Sequence, residues 1–226
     1  LGIDVPLVTA SGALVKDTAS HRTLFSLHLA GDVLGLLLES LAEAGLVPMV
    51  YTDTFDGAAD FFLPRGAALT RYHEDYLAKN EGCYQFLDGL PHGLPAPAVQ
   101  VCTFGELDEL RAVRPRLRER LAGRTTCPLL SSAKYLGNFL EFQDGAASKW
   151  AALADLLKAD GIAPEEVVAI GDDENDVSML RAAGLGVAMG NAALAVKNAA
   201  HVVTASNDDD GVARVVDKLL RERAAE

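Results

Sequence analysis

The sequence predicts an α/β fold, with a parallel-sheet core interrupted by a second, smaller α/β block. Three observations carry this reading. Val167-Val168-Ala169-Ile170 is an apolar, mostly β-branched run with no alternation, ended by Gly171, as expected of a strand buried on both faces. Around it, from residue 149 to 223, strand-like and helix-like patterns alternate in the rhythm of a parallel sheet wound with helices. Residues 47–142 instead carry a mixed pattern with an antiparallel component, so they read as a domain of their own. The expected organisation is a Rossmann-like core from residues 1–30 and 145–226, with residues 31–144 inserted as an α/β domain.

Taken in order, residues 6–15 read as a strand that turns at Ser11-Gly12, and residues 23–29 alternate and would pair with it as a hairpin. Asp32 is placed to cap a helix that carries Val33, Leu34, Leu37, Leu38 and Leu41 on one face and stops at Gly45. A short strand over 47–53 and a polar, aromatic helix over 67–79 follow. Residues 82–97 are rich in Gly and Pro and have no period, so they read as loops and irregular strand. Residues 98–104 form a strand and 106–121 a charged helix that Pro115 should kink or split. Two strands, over 125–131 and 135–142, close the block. Beyond Gly145, Ser148 caps a helix over 149–160 ended by Gly161. The strand at 167–170 and its acidic loop lead into a helix from Val177, with Gly184 as its cap. A strand over 185–189, a helix opened by Asn191, a short strand over 201–204 and an apolar-faced helix over 211–223 complete the chain.

The 226 residues are 50% hydrophobic and 23% charged, an ordinary globular composition. A formal net charge of −12 argues against nucleic acid and anionic membranes as partners, since both reward clustered Lys and Arg. Cys83, Cys102 and Cys127 are scattered, odd in number and form no CxxC pair, which reads as the reduced thiols of a cytoplasmic protein. No apolar run approaches the length of a membrane span, about 20 residues. The opening Leu-Gly-Ile-Asp-Val-Pro has no signal-peptide pattern and no initiator Met, so the expectation is that the gene begins further upstream.

Chemistry concentrates in Gly171-Asp172-Asp173-Glu174-Asn175-Asp176, an acidic loop after a buried parallel strand, where open α/β sheets bind ligands. Carboxylates so crowded repel unless a lysine or a hard divalent cation such as Mg²⁺ neutralises them. Lys149 stands in the first turn of a helix, where free N–H groups already favour an anion and an ammonium adds a point charge suited to phosphate. Gly190-Asn191 and Ser206-Asn207-Asp208-Asp209-Asp210-Gly211 are further turns that open helices. Read singly, each stretch also has a plain reading, as a solvated surface lysine, a cap or a turn.

Together, in this order and spacing, these stretches resemble the Cof-type branch of the haloacid dehalogenase superfamily, Mg²⁺-dependent phosphohydrolases with a large α/β cap. Ala147-Ser148-Lys149, the Gly171–Leu180 run, Gly184-Leu185-Gly186-Val187-Ala188-Met189-Gly190-Asn191-Ala192 and the Ser206 to Ala213 tail all match, and Thr9-Ala10-Ser11-Gly12-Ala13 is similar to the family's Asn-Gly-Ala turn with Ser11 in place of Asn. The resemblance implies that Asp172 is a Mg²⁺ ligand, that Lys149 binds the transferring phosphoryl group, and that Asn175 and Ser11 hydrogen-bond it. It implies that Asp176 supports the metal site and orients the lysine, and that the substrate is a small phosphoester such as a sugar phosphate. The family's nucleophile lies in an Asp-x-Asp-Gly-Thr motif, and a Thr-Gly-Arg turn follows it; neither occurs here. Asp208-Asp209-Asp210 lacks the Gly-Thr continuation. A strand-helix-strand segment on the order of 30 residues is therefore expected upstream of Leu1, with the N-terminal strands of the core. The alternative is a non-catalytic phosphate- or cation-binding descendant of the family.

Overall fold

The computed structural model describes residues 5–54, 59–132 and 134–224. Leu1 to Asp4, the first residues of the expected core, lie outside them, as do residues 55–58 and 133 of the inserted block. The chain forms two compact units, Leu1–Ala147 and Ser148–Glu226.

The first unit opens with a three-stranded antiparallel sheet, β1 (Leu7–Thr9), β2 (Leu14–Lys16) and β3 (Thr23–Ser26), whose first connection is a 3₁₀ turn at Ala10–Gly12. Helix α1 (Gly31–Glu43) follows, then β4 (Met49–Thr52), β5 (Phe61–Pro64), α2 (Arg71–Ala78), β6 (Tyr84–Leu87), β7 (Ala98–Gly105), α3 (Leu107–Leu121), β8 (Leu129–Ser131) and β9 (Asn138–Phe142). The six strands β4–β9 make one mixed sheet in the order β6-β5-β4-β7-β9-β8, and only β5 and β6 run parallel. Every residue of β7 is buried, because it is a central strand with β4 on one side and β9 on the other. Strand alternation sends Val101, Leu140 and Phe142 to a core under α1 and α3, packed with Leu37, Leu41, Leu110 and Leu117. Met49, Cys102 and Phe104 face the other way, toward Tyr72 and Leu77 of α2.

The second unit is α4 (Lys149–Ala159), β10 (Val168–Gly171), α5 (Val177–Ala182), β11 (Leu185–Ala188), α6 (Leu194–Lys197), β12 (Val202–Val203) and α7 (Gly211–Ala224). Its three strands pair in parallel in chain order, so the α/β rhythm in the sequence is realised as a wound sheet. Ser148 caps α4 as expected, its hydroxyl accepting the Ala151 N–H at 3.0 Å.

Several expectations are corrected. Asp32 lies within the first turn of α1, and the preceding Ala30 takes the cap position without a side-chain bond. Helix α3 is continuous through Pro115 rather than split. Helix α2 starts at Arg71, not 67, because His73 Nδ1 accepts from the Thr70 N–H and hydroxyl at its start. Phe61–Pro64, unmarked by any period, is a strand. Gly184 has no left-handed conformation to cap α5; a Cβ there would stand 2.1 Å from the Glu165 carbonyl oxygen, so glycine permits a close backbone approach. Asn191 does not open α6, whose cap position is Ala193.

Candidate active site

Strand β10 delivers the chain to Gly171, at the C-terminal end of a parallel sheet. A Cβ at Gly171 would stand 2.5 Å from the Asp176 carboxyl carbon, so only glycine lets the 3₁₀ turn Glu174–Asp176 fold its last side chain back against the strand end. The Asp176 carboxylate, 4% exposed, becomes the hub of the loop. Its Oδ2 accepts the N–H groups of Asp172 at 2.9 Å and Asp173 at 3.0 Å. Its Oδ1 accepts Lys149 Nζ at 2.5 Å. Charge-assisted bonds of this kind are stronger than neutral ones, and together they fix the loop and the lysine in one geometry.

Lys149 is the first residue of α4, and its side chain remains 30% exposed, so the ammonium is held at the surface. Asp172 is exposed, and its Oδ2 accepts Asn191 Nδ2 at 2.9 Å. Asn191 in turn accepts the Asn207 N–H through Oδ1 at 3.1 Å. The loops after β10, β11 and β12 are thereby joined at one sheet edge through Asn191, a residue that the sequence marks as a turn but to which it gives no role. Asn175 is half-buried within the 3₁₀ turn. Lys149, Asp172, Asn175 and Asp176 are thus brought together within the second unit. Ser11 belongs to the first unit, in the left-handed region with φ 51°, and its hydroxyl donates to Glu141.

Among the described residues, no three or more His, Cys, Asp or Glu side chains gather as a complete metal cage. Magnesium does not need one, since it is commonly held by one or two carboxylates with phosphate oxygens and water completing the shell. The exposed carboxylate of Asp172 fits that partial shell. Asp176 has both oxygens engaged, so a cation there would share it with the lysine.

The fold is of the haloacid dehalogenase type. A haloacid dehalogenase-like hydrolase from Bacteroides thetaiotaomicron superimposes with a TM-score of 0.73 at 29% identity, over 96% of this chain and 77% of its own. The family model for haloacid dehalogenase-like hydrolases matches residues 1–216, and the chain belongs to that family. Two proteins of Bacillus subtilis are similar to it. Phosphatase YwpJ is 50% identical over 92 residues, 41% of this chain and 31% of that protein. The 5-amino-6-(5-phospho-D-ribitylamino)uracil phosphatase YwtE is 26% identical over 245 residues, 96% of this chain and 79% of that protein.

Proposed function

We propose that the protein is a Mg²⁺-dependent phosphohydrolase of small phosphorylated metabolites, sugar phosphates or similar. The observation that carries this reading is the Lys149–Asp176 ion pair, 2.5 Å long, beside an exposed Asp172 at the strand end. A phosphoryl group needs its oxygens neutralised as charge redistributes in the transition state. Lys149 supplies a fixed positive charge for that purpose, and Asn175 supplies a hydrogen-bond donor. Asp172 and Asp176 would hold the metal, which when bound adds further positive charge at the phosphoryl oxygens. Asp176 also orients the lysine. The relative YwtE, named for a small phosphomonoester, supports the substrate class. A net charge of −12 disfavours nucleic acid as substrate, and the cysteine pattern supports a cytoplasmic setting.

In this reading, residues 1–30 and 145–226 belong to the hydrolase core and residues 31–144 to the cap. Hydrolysis through an aspartyl-phosphate, as the family resemblance implies, needs a carboxylate in line with the leaving group. Asp173 and Glu174 share the loop with Asp172 and would approach from the metal's side, so neither takes that role. Residues 1–226 alone are therefore expected to show no turnover of an aryl phosphate with Mg²⁺. Where a polypeptide carrying these residues also supplies that carboxylate, small phosphomonoesters are expected to be turned over with a higher kcat/KM than phosphopeptides. Preference for a phosphorylated polymer, or turnover by residues 1–226 that disappears in Asp172→Ala, would overturn this assignment.

A further inference from the structure

Asn191 stands where three loops of the second unit meet, and backbone contacts hold it there. The Met189 N–H donates to the Gly171 carbonyl at 2.9 Å, and the Gly190 N–H donates to the Ala205 carbonyl at 2.9 Å. A Cβ at Gly190 would stand 2.7 Å from the Ser206 nitrogen, so only glycine lets the loops after β11 and β12 come this close. The next residue, Asn191, is thereby delivered between the loops after β10 and β12. Its amide carries an oxygen that accepts and a nitrogen that donates, and the partners settle which faces which. The Asn207 backbone N–H can only donate, so Asn191 Oδ1 faces it at 3.1 Å. Nδ2 is left to donate to Asp172 Oδ2 at 2.9 Å.

That bond changes what Asp172 can offer a cation. Its Oδ2 is engaged by the amide and could join a metal only by crowding or giving up that bond, whereas Oδ1 has no partner among the described residues. The neighbouring Asp176 has both oxygens engaged, by two backbone N–H groups and by Lys149. Mg²⁺ is small and octahedral, keeps much of its water and is content with a single carboxylate oxygen. Ca²⁺ is larger, collects more oxygens and gains from a carboxylate that binds through both. We infer that Asn191 is a positioning residue that sets metal selectivity: its amide holds Asp172 to one open oxygen and so favours Mg²⁺ over Ca²⁺. This role rests on Asp172 being a metal ligand, as in the phosphohydrolase reading, but the hydrogen bond itself does not.

The test is calorimetric titration of Mg²⁺ and of Ca²⁺, each alone, into the unaltered chain, Asn191→Ala, Asn191→Asp and Asp172→Ala. Asn191→Ala releases Asp172 Oδ2, so Mg²⁺ should weaken while Ca²⁺ does not. The ratio of the two affinities should move toward Ca²⁺ by about tenfold, the low end for an outer-shell partner because Asn191 is exposed. Asn191→Asp keeps the shape and the acceptor for the Asn207 N–H but loses the donor. It should bind both cations more tightly through its added charge and still move the ratio toward Ca²⁺. Circular dichroism checks folding, and Asn191→Asp decides the matter if Asn191→Ala does not fold. An unchanged ratio, with both affinities altered by the same factor, would overturn the role of Asn191. So would a shift in Asn191→Ala that Asn191→Asp lacks, because it would trace the effect to the lost Asn207 bond. Either result leaves the metal site standing provided that Asp172→Ala loses Mg²⁺. Mg²⁺ affinity unchanged in Asp172→Ala would instead strike the metal assignment itself, and the role of Asn191 with it.

Discussion

Gly171 has no side chain, and the Asp176 carboxyl carbon occupies space that a Cβ would crowd. The carboxylate reaches two backbone N–H groups and Lys149 because of that one missing methyl. Gly171→Ala should therefore force the loop away from the strand end and cost about 1–3 kcal/mol of stability. Asp176→Asn keeps the volume but removes the counter-charge of a lysine that is itself only 30% exposed. The expected loss is about 2 kcal/mol, smaller than for a fully buried pair because water still reaches the ammonium. Urea denaturation of both variants checks this. Stability equal to that of the unaltered chain in Gly171→Ala would mean that the loop does not depend on the close approach.

Helix α2 shows how an element can be set by a residue whose role periodicity does not reveal. The His73 ring is 1% exposed, accepts from Thr70 through Nδ1 and lies 3.3 Å from the Val47 carbonyl through Nε2, as a neutral Nε2–H donor would. Burial holds its imidazole below the ordinary value, partly offset by the bond to Val47. The unfolded imidazole protonates near pH 6.5, before the folded one does, so the unfolded state binds the extra proton first. Stability should be full above about pH 6.5 and fall as the pH drops below it, whereas His73→Gln should lack this slope. Thermal melts of both proteins between about pH 5 and pH 7.5 test it; parallel slopes would contradict the assignment. The helix was legible as an aromatic, polar stretch, but its start was not, because the Thr70–His73 contact leaves no familiar capping signature. Strand β5 was hidden for a related reason. Phe61-Phe62-Leu63 is buried on both faces and so shows no alternation. By contrast, α4 and the loop after β10 were legible because a cap, a glycine and a run of carboxylates act within a few residues of one another. The bond from Asn191 to Asp172 spans 19 positions and belongs to the fold rather than to any local pattern.

Across the whole chain, the second unit follows the rhythm that the sequence carries, while α7 departs from the expected burial. Its apolar stripe leaves Val212 50%, Val216 44% and Leu220 60% exposed, so amphipathic spacing alone did not tell which face packs. With 32 Asp and Glu against 20 Lys and Arg, the placement of the cations matters, and Lys149 is the cation held against the acidic loop. Calorimetric titration of orthophosphate and of Mg²⁺ into the unaltered chain, Lys149→Ala and Asp172→Ala tests that placement most directly. Lys149→Ala should weaken phosphate by about tenfold to a hundredfold and leave Mg²⁺ affinity largely unchanged, whereas Asp172→Ala should lose Mg²⁺. Phosphate affinity untouched by Lys149→Ala, together with Mg²⁺ affinity untouched by Asp172→Ala, would contradict the assignment of this strand end as the phosphoryl and metal site.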